Sequence, residues 1–357
     1  MTRTEYLISQ KQMGRRLIGA FPAQYPKEIL WAMNAIPAEI WDPPVDTSEA
    51  NAHLQPYICS VVRAGLALIL KGKCDMLDGF LFPHTCDSIQ NLASIVNDYL
   101  GTRKPCYFFY PPKAPYRHSS RRYFVRQLRA LVTALEKTMG PLDPSSFKQS
   151  VQQGFALGAL LEEIYEQRRA GILNAPNADF YGVLRQGEYL HPEDFISRLE
   201  AFRRTAEREG TSGPGVILSG VLPNPPEILK LLDASGVRIM DDDFMNCSRR
   251  FLIHGEPAQD PFEALADAYF SLPPCTTKNS SIQERINGLL EKIEKSGARG
   301  VIFYLVKFCE PELFDVPLVS EAVKDRGIPT LVLDVEINQG LTGQLTTRVE
   351  AFVEMIS

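Results

Sequence analysis

The sequence lacks the long apolar runs and the concentrated positive charge that would place it in a membrane or on a nucleic acid. No uninterrupted apolar run approaches the roughly 20 residues that a membrane-spanning helix needs. The formal net charge is -5, with both signs scattered, so there is no basic stripe for a phosphate backbone. The opening residues also lack the apolar core and cleavage site of a secretory signal. We therefore expect a cytoplasmic protein that binds neither nucleic acid nor membrane.

The seven cysteines form neither an even set nor a close C-x-x-C pair. An odd number without an export signal argues against a disulfide framework, and zinc sites usually use four ligands in close pairs. Each thiol is therefore either a buried, apolar-type side chain or a ligand of another metal centre. The seven are Cys59, Cys74, Cys86, Cys106, Cys247, Cys275 and Cys309.

A strand-helix-strand pattern occurs twice, about 200 positions apart. The two copies comprise strands at 16–21 and 36–41 around a helix opened by Pro26, and strands at 215–220 and 236–240 around a helix opened by Pro226. Proline in the first turn is typical of helix starts, because it needs no hydrogen bond there. Both helix starts carry Glu-Ile-Leu shortly after the proline, which favours a duplication over coincidence.

Both copies continue with an apolar strand that leads into a cysteine and a helix. Residues 77–82 lead to Cys86, and residues 300–306 lead to Cys309. A further strand follows in each copy, at 105–110 and at 328–334. Such alternation predicts right-handed βαβ units and parallel sheets.

The predicted fold class is therefore α/β, with two related Rossmann-like (flavodoxin-like) parallel-sheet domains and a helical insert. We assign an N-terminal α/β domain to residues 1–120 and a C-terminal α/β domain to residues 211–357. Residues 121–210 show helical periodicity with few strand signals, and we assign them to the helical segment.

Three of the cysteines share a setting that suits a metal centre. Cys86 and Cys309 follow strands, at the sheet edge where ligands collect in open α/β folds. Both precede a helix, and Cys59 lies in the first turn of another, where backbone N–H groups lower a thiol pKa. Iron-sulfur clusters tolerate wide cysteine spacing, and three protein ligands on a cubane leave one iron open.

Several segments resemble those of the 2-hydroxyacyl-CoA dehydratase and benzoyl-CoA reductase family. They are Tyr57-Ile-Cys59-Ser60-x-x-Arg63, Asp78-Gly79-x-x-x-Pro83-x-x-Cys86-Asp87-Ser88, Lys307-Phe308-Cys309-Glu310-Pro311 and Gly343-Gln344-x-x-Thr347-Arg348-Val-Glu350-Ala-Phe352. The likeness extends over almost the whole chain. Each motif is short, but together they are specific.

The resemblance implies an enzyme subunit, of lyase or oxidoreductase type, that works with a homologous second subunit. In that family each subunit binds a 4Fe-4S cluster through three cysteines, which match Cys59, Cys86 and Cys309 here. A separate ATP-hydrolysing iron-sulfur activator protein supplies one electron, which enters the carbonyl of an acyl-CoA thioester bound at the open iron. The chain has no G-x-x-x-x-G-K-[ST] loop of its own, which agrees with a separate activator.

Two alternatives remain open at this point. Cys247 and Cys275 are possible extra ligands of an 8Fe double cubane, which would make the protein a reductase of small molecules. The chain is alternatively a non-catalytic electron-transfer or scaffold subunit. The acidic run 241–243 is either a metal-binding group or, as we predict, a helix cap or a solvated strand end.

No catalytic acid or base is identified, and the candidates are weak. His84 is either a proton donor near the cluster or a structural histidine. Arg249 either contacts a phosphate or thioester or forms a structural ion pair. Ser60, Thr85 and Ser88 either donate hydrogen bonds to cluster sulfurs or cap helices. The substrate also stays open: benzoyl-CoA, a 2-hydroxyacyl-CoA and an unrelated small acceptor all fit.

Overall fold

The computed structural model describes residues 1–206, 213–253 and 260–357, which form two α/β units. Unit 1 comprises Met1–Ala159, Gln186–Ile196 and Ile253–Leu272; unit 2 comprises Leu160–Arg185, Ser197–Leu252 and Pro273–Ser357. The predicted boundary between residues 210 and 211 lies outside the described residues, so the three-part domain division stays a prediction.

Each unit contains one parallel four-stranded sheet. In unit 1 the strands are β1 (Arg16–Ala20), β2 (Ala35–Glu39), β3 (Gly79–Pro83) and β4 (Cys106–Phe109), in the order β2-β1-β3-β4. In unit 2 they are β5 (Gly215–Gly220), β6 (Arg238–Phe244), β7 (Gly300–Val306) and β8 (Thr330–Val335), in the order β6-β5-β7-β8. The same strand order in both units confirms the predicted fold class of two related parallel-sheet domains.

The described residues also form fourteen α-helices. They are α1 (Arg3–Gln12), α2 (Lys27–Ala32), α3 (Ser60–Leu70), α4 (Asp87–Ser94), α5 (His118–Met139), α6 (Pro144–Arg169), α7 (Asn177–Leu184), α8 (Pro192–Thr205), α9 (Glu227–Ala234), α10 (Ser248–Phe251), α11 (Pro261–Ser271), α12 (Ile282–Ser296), α13 (Glu310–Lys324) and α14 (Gly343–Ile356). Helices α5 to α8 lie between residues 118 and 205, where helical periodicity predicts helices. No helix among the described residues combines the length and apolar character needed to cross a membrane.

Burial explains the strand sequences. The central strands β3 and β7 are apolar along their whole length and every residue in them is buried, as expected for parallel strands covered on both faces. The edge strand β8 instead alternates between buried and more exposed residues. Pro37 is tolerated inside β2 because β2 is also an edge strand.

Helices pack on each sheet through apolar faces. In unit 1, β1, β3 and β4 share one core with α2, α5 and α11, and α5 contributes Phe124, Leu128, Leu131 and Leu135 at helical spacing. In unit 2, Val301, Phe303 and Leu305 of β7 pack with residues of α12 and α13. These layers hold the carboxyl ends of the strands in place, where the candidate site residues lie.

Candidate metal centre

The three cysteines predicted as ligands each lie immediately before a helix. Cys59 is the N-cap residue of α3, Cys86 of α4 and Cys309 of α13. Cys86 is the third residue after β3, and Cys309 is the third residue after β7. Strands β3 and β7 occupy the same position in their two sheets, so the two thiols lie at equivalent places in the two units.

Cys59 and Cys86 come together in unit 1. Their thiols are close enough to interact electrostatically. The backbone N–H groups of Val61 and Val62 act to lower the pKa of Cys59, and those of Ser88 and Ile89 act to lower the pKa of Cys86, although neither sulfur accepts a cap hydrogen bond. The two helix starts therefore direct several N–H groups at a pair of neighbouring sulfurs, a setting suited to thiolates and to the sulfides of a cluster.

The prediction that helix starts lower these thiol pKa values is wrong for the metal-free chain. Burial raises the pKa of Cys59 to about 12, and the nearby Cys86 thiol adds to the shift. Burial also raises the pKa of Cys86. The N–H groups act in the opposite direction, but desolvation of a buried thiolate outweighs them. Both residues are therefore neutral thiols at neutral pH until a cation compensates the charge.

Backbone geometry places Cys309 at the end of a sharp turn in unit 2. Phe308 has a φ of 64°, in the left-handed region that bulky residues rarely adopt. The N–H of Cys309 donates to the carbonyl of Val306 at 2.9 Å, which closes the turn between β7 and α13. A strained non-glycine residue beside a partly buried thiol is typical of a functional loop.

The turn before Cys86 is tied to two neighbouring loops. The Thr85 hydroxyl donates to the carbonyl of Pro22 and accepts from the N–H of Ala23 at 2.8 Å, so it links two loops of unit 1. This favours a structural role over donation to a cluster sulfur. Lys113 Nζ donates to the carbonyls of His84 and Thr85 at 2.8 and 3.0 Å.

His84 is a partly exposed side chain beside this turn. Its Nε2 lies 3.7 Å from a carboxylate oxygen of Asp87, and its ring lies 5.8 Å from that of Tyr110. Burial and the nearby Lys113 ammonium lower the His84 pKa, so the ring is neutral at neutral pH. Ser60 is buried in the first turn of α3, and Ser88 is partly buried in that of α4. The predicted roles of His84, Ser60 and Ser88 at a cluster stay predictions.

Arg249 is the centre of a buried ion-pair network in unit 2. The side chain is completely buried and donates to Asp243 at 2.9 and 2.8 Å and to Glu312. Arg285 donates to the same Asp243 carboxylate at 3.1 and 2.9 Å. Glu312 lies in the first turn of α13, the helix that Cys309 caps. Arg249 therefore forms a structural ion pair, which was one of its two predicted roles. Its pairing with Glu312 fixes the start of α13.

The prediction that residues 241–243 are a solvated strand end is wrong, whereas the predicted cap is present, since Asp242 accepts from the N–H groups of Phe244 at 3.0 Å and of Ser248, the first residue of α10, at 3.2 Å. All three carboxylates are buried within β6, which extends beyond the predicted strand. Asp241 pairs with Arg169 and Lys292, and Asp242 accepts from the hydroxyls of Tyr165 and Tyr181. Although burial opposes it, the two arginines beside Asp243 hold the pKa of that carboxyl well below its usual range. These ion-pair and hydrogen-bond partners are distant in the sequence, so the acidic run gave no local sign that it is buried.

The two cysteines considered as extra ligands are completely buried in unit 2. Cys247 is 3.2 Å from the side-chain oxygen of Asn246, and Cys275 is 3.1 Å from the hydroxyl of Thr277. Among the described residues, neither unit contains a group of three or more Cys, His, Asp or Glu side chains that could hold a metal ion. Both thiols thus pack as core residues with local polar partners.

Two structural residues of this region were not singled out from the sequence. Lys113 follows the carboxyl end of β4, and its loop position there is a signal that could have indicated it. Glu312 carries no such signal, because only the fold brings its carboxylate to Arg249.

Comparison with known proteins adds a family assignment. Residues 22–356 match the family of the 2-hydroxyglutaryl-CoA dehydratase D-component. The chain is 26% identical to a benzoyl-CoA reductase subunit of Thauera aromatica, with 96% of this chain and 91% of the relative aligned. It is 23% identical to the beta subunits of (R)-phenyllactyl-CoA dehydratase from Clostridium sporogenes (97% and 93%) and of (R)-2-hydroxyglutaryl-CoA dehydratase from Acidaminococcus fermentans (98% and 95%).

Proposed function

Since the chain belongs to the 2-hydroxyglutaryl-CoA dehydratase D-component family, we propose that it is the iron-sulfur subunit of an acyl-CoA dehydratase or reductase. Its relatives are subunits of 2-hydroxyacyl-CoA dehydratases and of a benzoyl-CoA reductase. The proposed cofactor is one 4Fe-4S cluster, held by Cys59, Cys86 and Cys309. The proposed substrate is an acyl-CoA thioester.

The observation that supports this proposal best is the paired arrangement of Cys59 and Cys86. One buried and one partly buried thiol lie near enough to interact electrostatically, and each stands at a helix start whose backbone N–H groups favour its thiolate. Neutral thiols make little use of the backbone N–H groups around them. Thiolates bound to iron would have their negative charge stabilised by the metal and by these N–H groups. Cys309, at the equivalent strand end of unit 2, supplies the third ligand.

The residues around the thiols have defined tasks in this proposal. A bound cluster with one iron free of protein ligands supplies low-potential electron transfer and a site for a thioester oxygen. The N–H groups at Cys59 and Cys86 stabilise the negative charge on the sulfurs. Lys113 and Thr85 fix the turn before Cys86, and the Arg249–Glu312 pair fixes the helix start at Cys309.

Two partners complete the proposed enzyme. The relatives are themselves single subunits of larger enzymes, and we propose that this chain likewise assembles with a homologous second subunit. We propose an ATP-hydrolysing iron-sulfur activator as the electron source. Whether the enzyme eliminates water or reduces a ring depends on the substrate, which is left open between a 2-hydroxyacyl-CoA and an aromatic acyl-CoA.

The double-cubane alternative is less well supported. Cys247 and Cys275 are completely buried, and each has a polar partner in the core of unit 2. A second cubane would need room that these packed positions do not offer. A scaffold role would leave the Cys59 and Cys86 arrangement without a purpose.

Anaerobic reconstitution followed by iron and sulfide analysis tests the proposal. We expect about four irons per chain for the wild type. Cys59→Ser and Cys86→Ser should each lose most of that iron. Cys106→Ser is the matched control, since Cys106 is a partly buried cysteine of β4 outside the proposed ligand set. Circular dichroism of each variant verifies that the fold is retained.

Three results would contradict the proposal. The first is an iron-free wild type after careful reconstitution, and the second is full iron retention in both ligand variants. About eight irons per chain, halved by Cys247→Ala or Cys275→Ala, would instead support the double cubane.

A further inference from the structure

A cleft of about 580 Å³ lies along the first half of α5 in unit 1, and its lining is rich in arginine. Its walls come from the loop before α5, from α5 itself and from α11. The residues that matter here are Tyr116, Arg117, Arg122, Arg126 and Phe270. A concave site of this size suits a small molecule or a part of one.

Positive charge in this cleft exceeds the negative charge around it. Arg121 is neutralised by Glu263 and Asp267 of α11, and Arg129 pairs with Asp260. Arg117, Arg122 and Arg126, by contrast, are exposed and form no ion pair with any described residue. Arg122 and Arg126 are one turn apart, an arrangement that costs stability unless an anion lies between them.

An aromatic wall stands beside the arginines. The Tyr116 ring packs edge-on against Phe270, with centroids 4.8 Å apart, and Tyr116 keeps 37% of its surface exposed. A fixed, half-exposed aromatic ring offers a stacking surface for a purine base. Arginine side chains next to it match phosphate groups in charge and in planar hydrogen-bond geometry.

The cleft is connected to the loop that carries Cys86. The segment before α5 begins at the carboxyl end of β4, the strand paired with β3. Lys113 of that segment donates to the carbonyls of His84 and Thr85, the two residues before Cys86. A ligand held at the start of α5 therefore lies along the same sheet edge as the Cys86 thiol.

We propose that this cleft binds the phosphorylated adenosine end of the coenzyme A thioester, with phosphates on Arg117, Arg122 and Arg126 and the adenine on Tyr116. The choice of coenzyme A among adenine nucleotides rests on the proposed function. Such binding orients the acyl end along the sheet edge that carries Cys86. It also gives a counter-charge to Arg117, Arg122 and Arg126, which form no ion pair with any described residue.

Titration of the metal-free, full-length chain with coenzyme A by calorimetry at low salt tests the proposal. We expect Arg122→Gln/Arg126→Gln to raise the Kd at least about tenfold, since two phosphate contacts are lost. Tyr116→Leu should weaken binding several-fold through lost stacking. The control is Arg103→Gln/Arg204→Gln, which removes two exposed arginines elsewhere and should leave the Kd unchanged. Dephospho-coenzyme A should bind more weakly than coenzyme A, and N-acetylcysteamine should not bind.

Several results would overturn the proposal. Among them are an absence of coenzyme A binding, an unchanged Kd in the arginine variant, and equal competition by inorganic tripolyphosphate, which would show a plain anion surface. A preference for a polyglutamate peptide over coenzyme A would assign the cleft to an acidic protein. The chain is used without metal, so failure of cluster assembly overturns the proposed function but leaves this test intact. If the cluster assembles but the cleft variants leave the Kd for coenzyme A unchanged, only the cleft proposal is overturned.

Discussion

At the scale of single residues, Arg249 is the centre of the buried ion-pair network of unit 2. Its guanidinium is completely buried between Asp243 and Glu312, and Arg285 completes the pairing of Asp243. Removing one partner of a buried ion pair leaves a charge without water or counter-ion, which is far more costly than losing an exposed pair.

We therefore expect Arg249→Met to lower the free energy of unfolding by about 3–5 kcal/mol. Urea unfolding followed by circular dichroism measures the loss. Arg204→Met is the matched control, because Arg204 is exposed and its ion pair with Glu200 is long, at 4.0 Å. This variant should change the free energy of unfolding by less than about 0.5 kcal/mol. Similar stabilities of the two variants would show that the buried network contributes little.

Glu28 gives unit 1 a pH-dependent stability. Its carboxylate packs against Gly154 of α6, and burial raises its pKa to about 7 from an ordinary 4.5. The folded state therefore holds this proton more tightly than the unfolded state does. The contribution to stability is full below about pH 4.5 and is lost as the pH rises through 7.

Glu28→Gln should remove that dependence. We expect the stability difference between pH 5 and pH 8 to shrink by about 1–3 kcal/mol relative to the wild type, at 1.36 kcal/mol per pKa unit. Urea unfolding at both pH values measures it, with the exposed Glu49→Gln as the control. A pH difference as large in Glu28→Gln as in the wild type would contradict the role of Glu28.

At the scale of elements, the close approach of β5 and β7 depends on Gly220. Its φ is 155°, and a Cβ there would lie 2.1 Å from the carbonyl oxygen of Tyr304. Because that neighbour is backbone in a central strand, it cannot move aside cheaply. The end of β5 therefore requires glycine.

Gly220→Ala should destabilise the protein by about 2 kcal/mol or more, through strain at the paired strands. Gly182→Ala, within α7, should have the opposite sign, since a Cβ there has open space and alanine favours a helix by up to about 1 kcal/mol. Thermal unfolding of the two variants distinguishes them. Equal shifts of the same sign would contradict the dependence of the β5–β7 contact on glycine.

The elements of this fold were predictable where local sequence decides them. The strand at 215–220 and the helix starts after Pro26 and Pro226 follow from apolar runs and proline placement, and the structure has them there. The extension of β6 through Asp241–Asp243 was not predictable, since its acidic side chains are stabilised by arginine, lysine and tyrosine partners distant in sequence.

The candidate site shows the same division. The helix starts at Cys59, Cys86 and Cys309 were predictable from the sequence. The raised pKa values of Cys59 and Cys86 were not, because they depend on how deeply the folded chain buries these two sulfurs. The hydroxyl partners of Thr85 and the pairing of Arg249 with Glu312 are likewise decided by tertiary contacts.

At the scale of the whole molecule, two units of one topology carry a cysteine at the same strand end, and unit 1 adds Cys59. If one cluster takes ligands from both units, its assembly must stabilise the complete chain, because binding free energy adds to folding free energy. Cluster loading should then raise the thermal unfolding midpoint of the wild type. Cys309→Ser should lose most of that rise, and Cys106→Ser should keep it. An equal rise in Cys309→Ser would place the cluster in unit 1 alone.

The most direct test of the central claim is the Mössbauer spectrum of the chain reconstituted anaerobically with iron-57. Three cysteine ligands on a cubane predict about three irons of one type and about one iron with distinct parameters. An acyl-CoA thioester should change the distinct iron alone. A spectrum of four equivalent, fully thiolate-bound irons, or no cluster spectrum at all, would contradict the account.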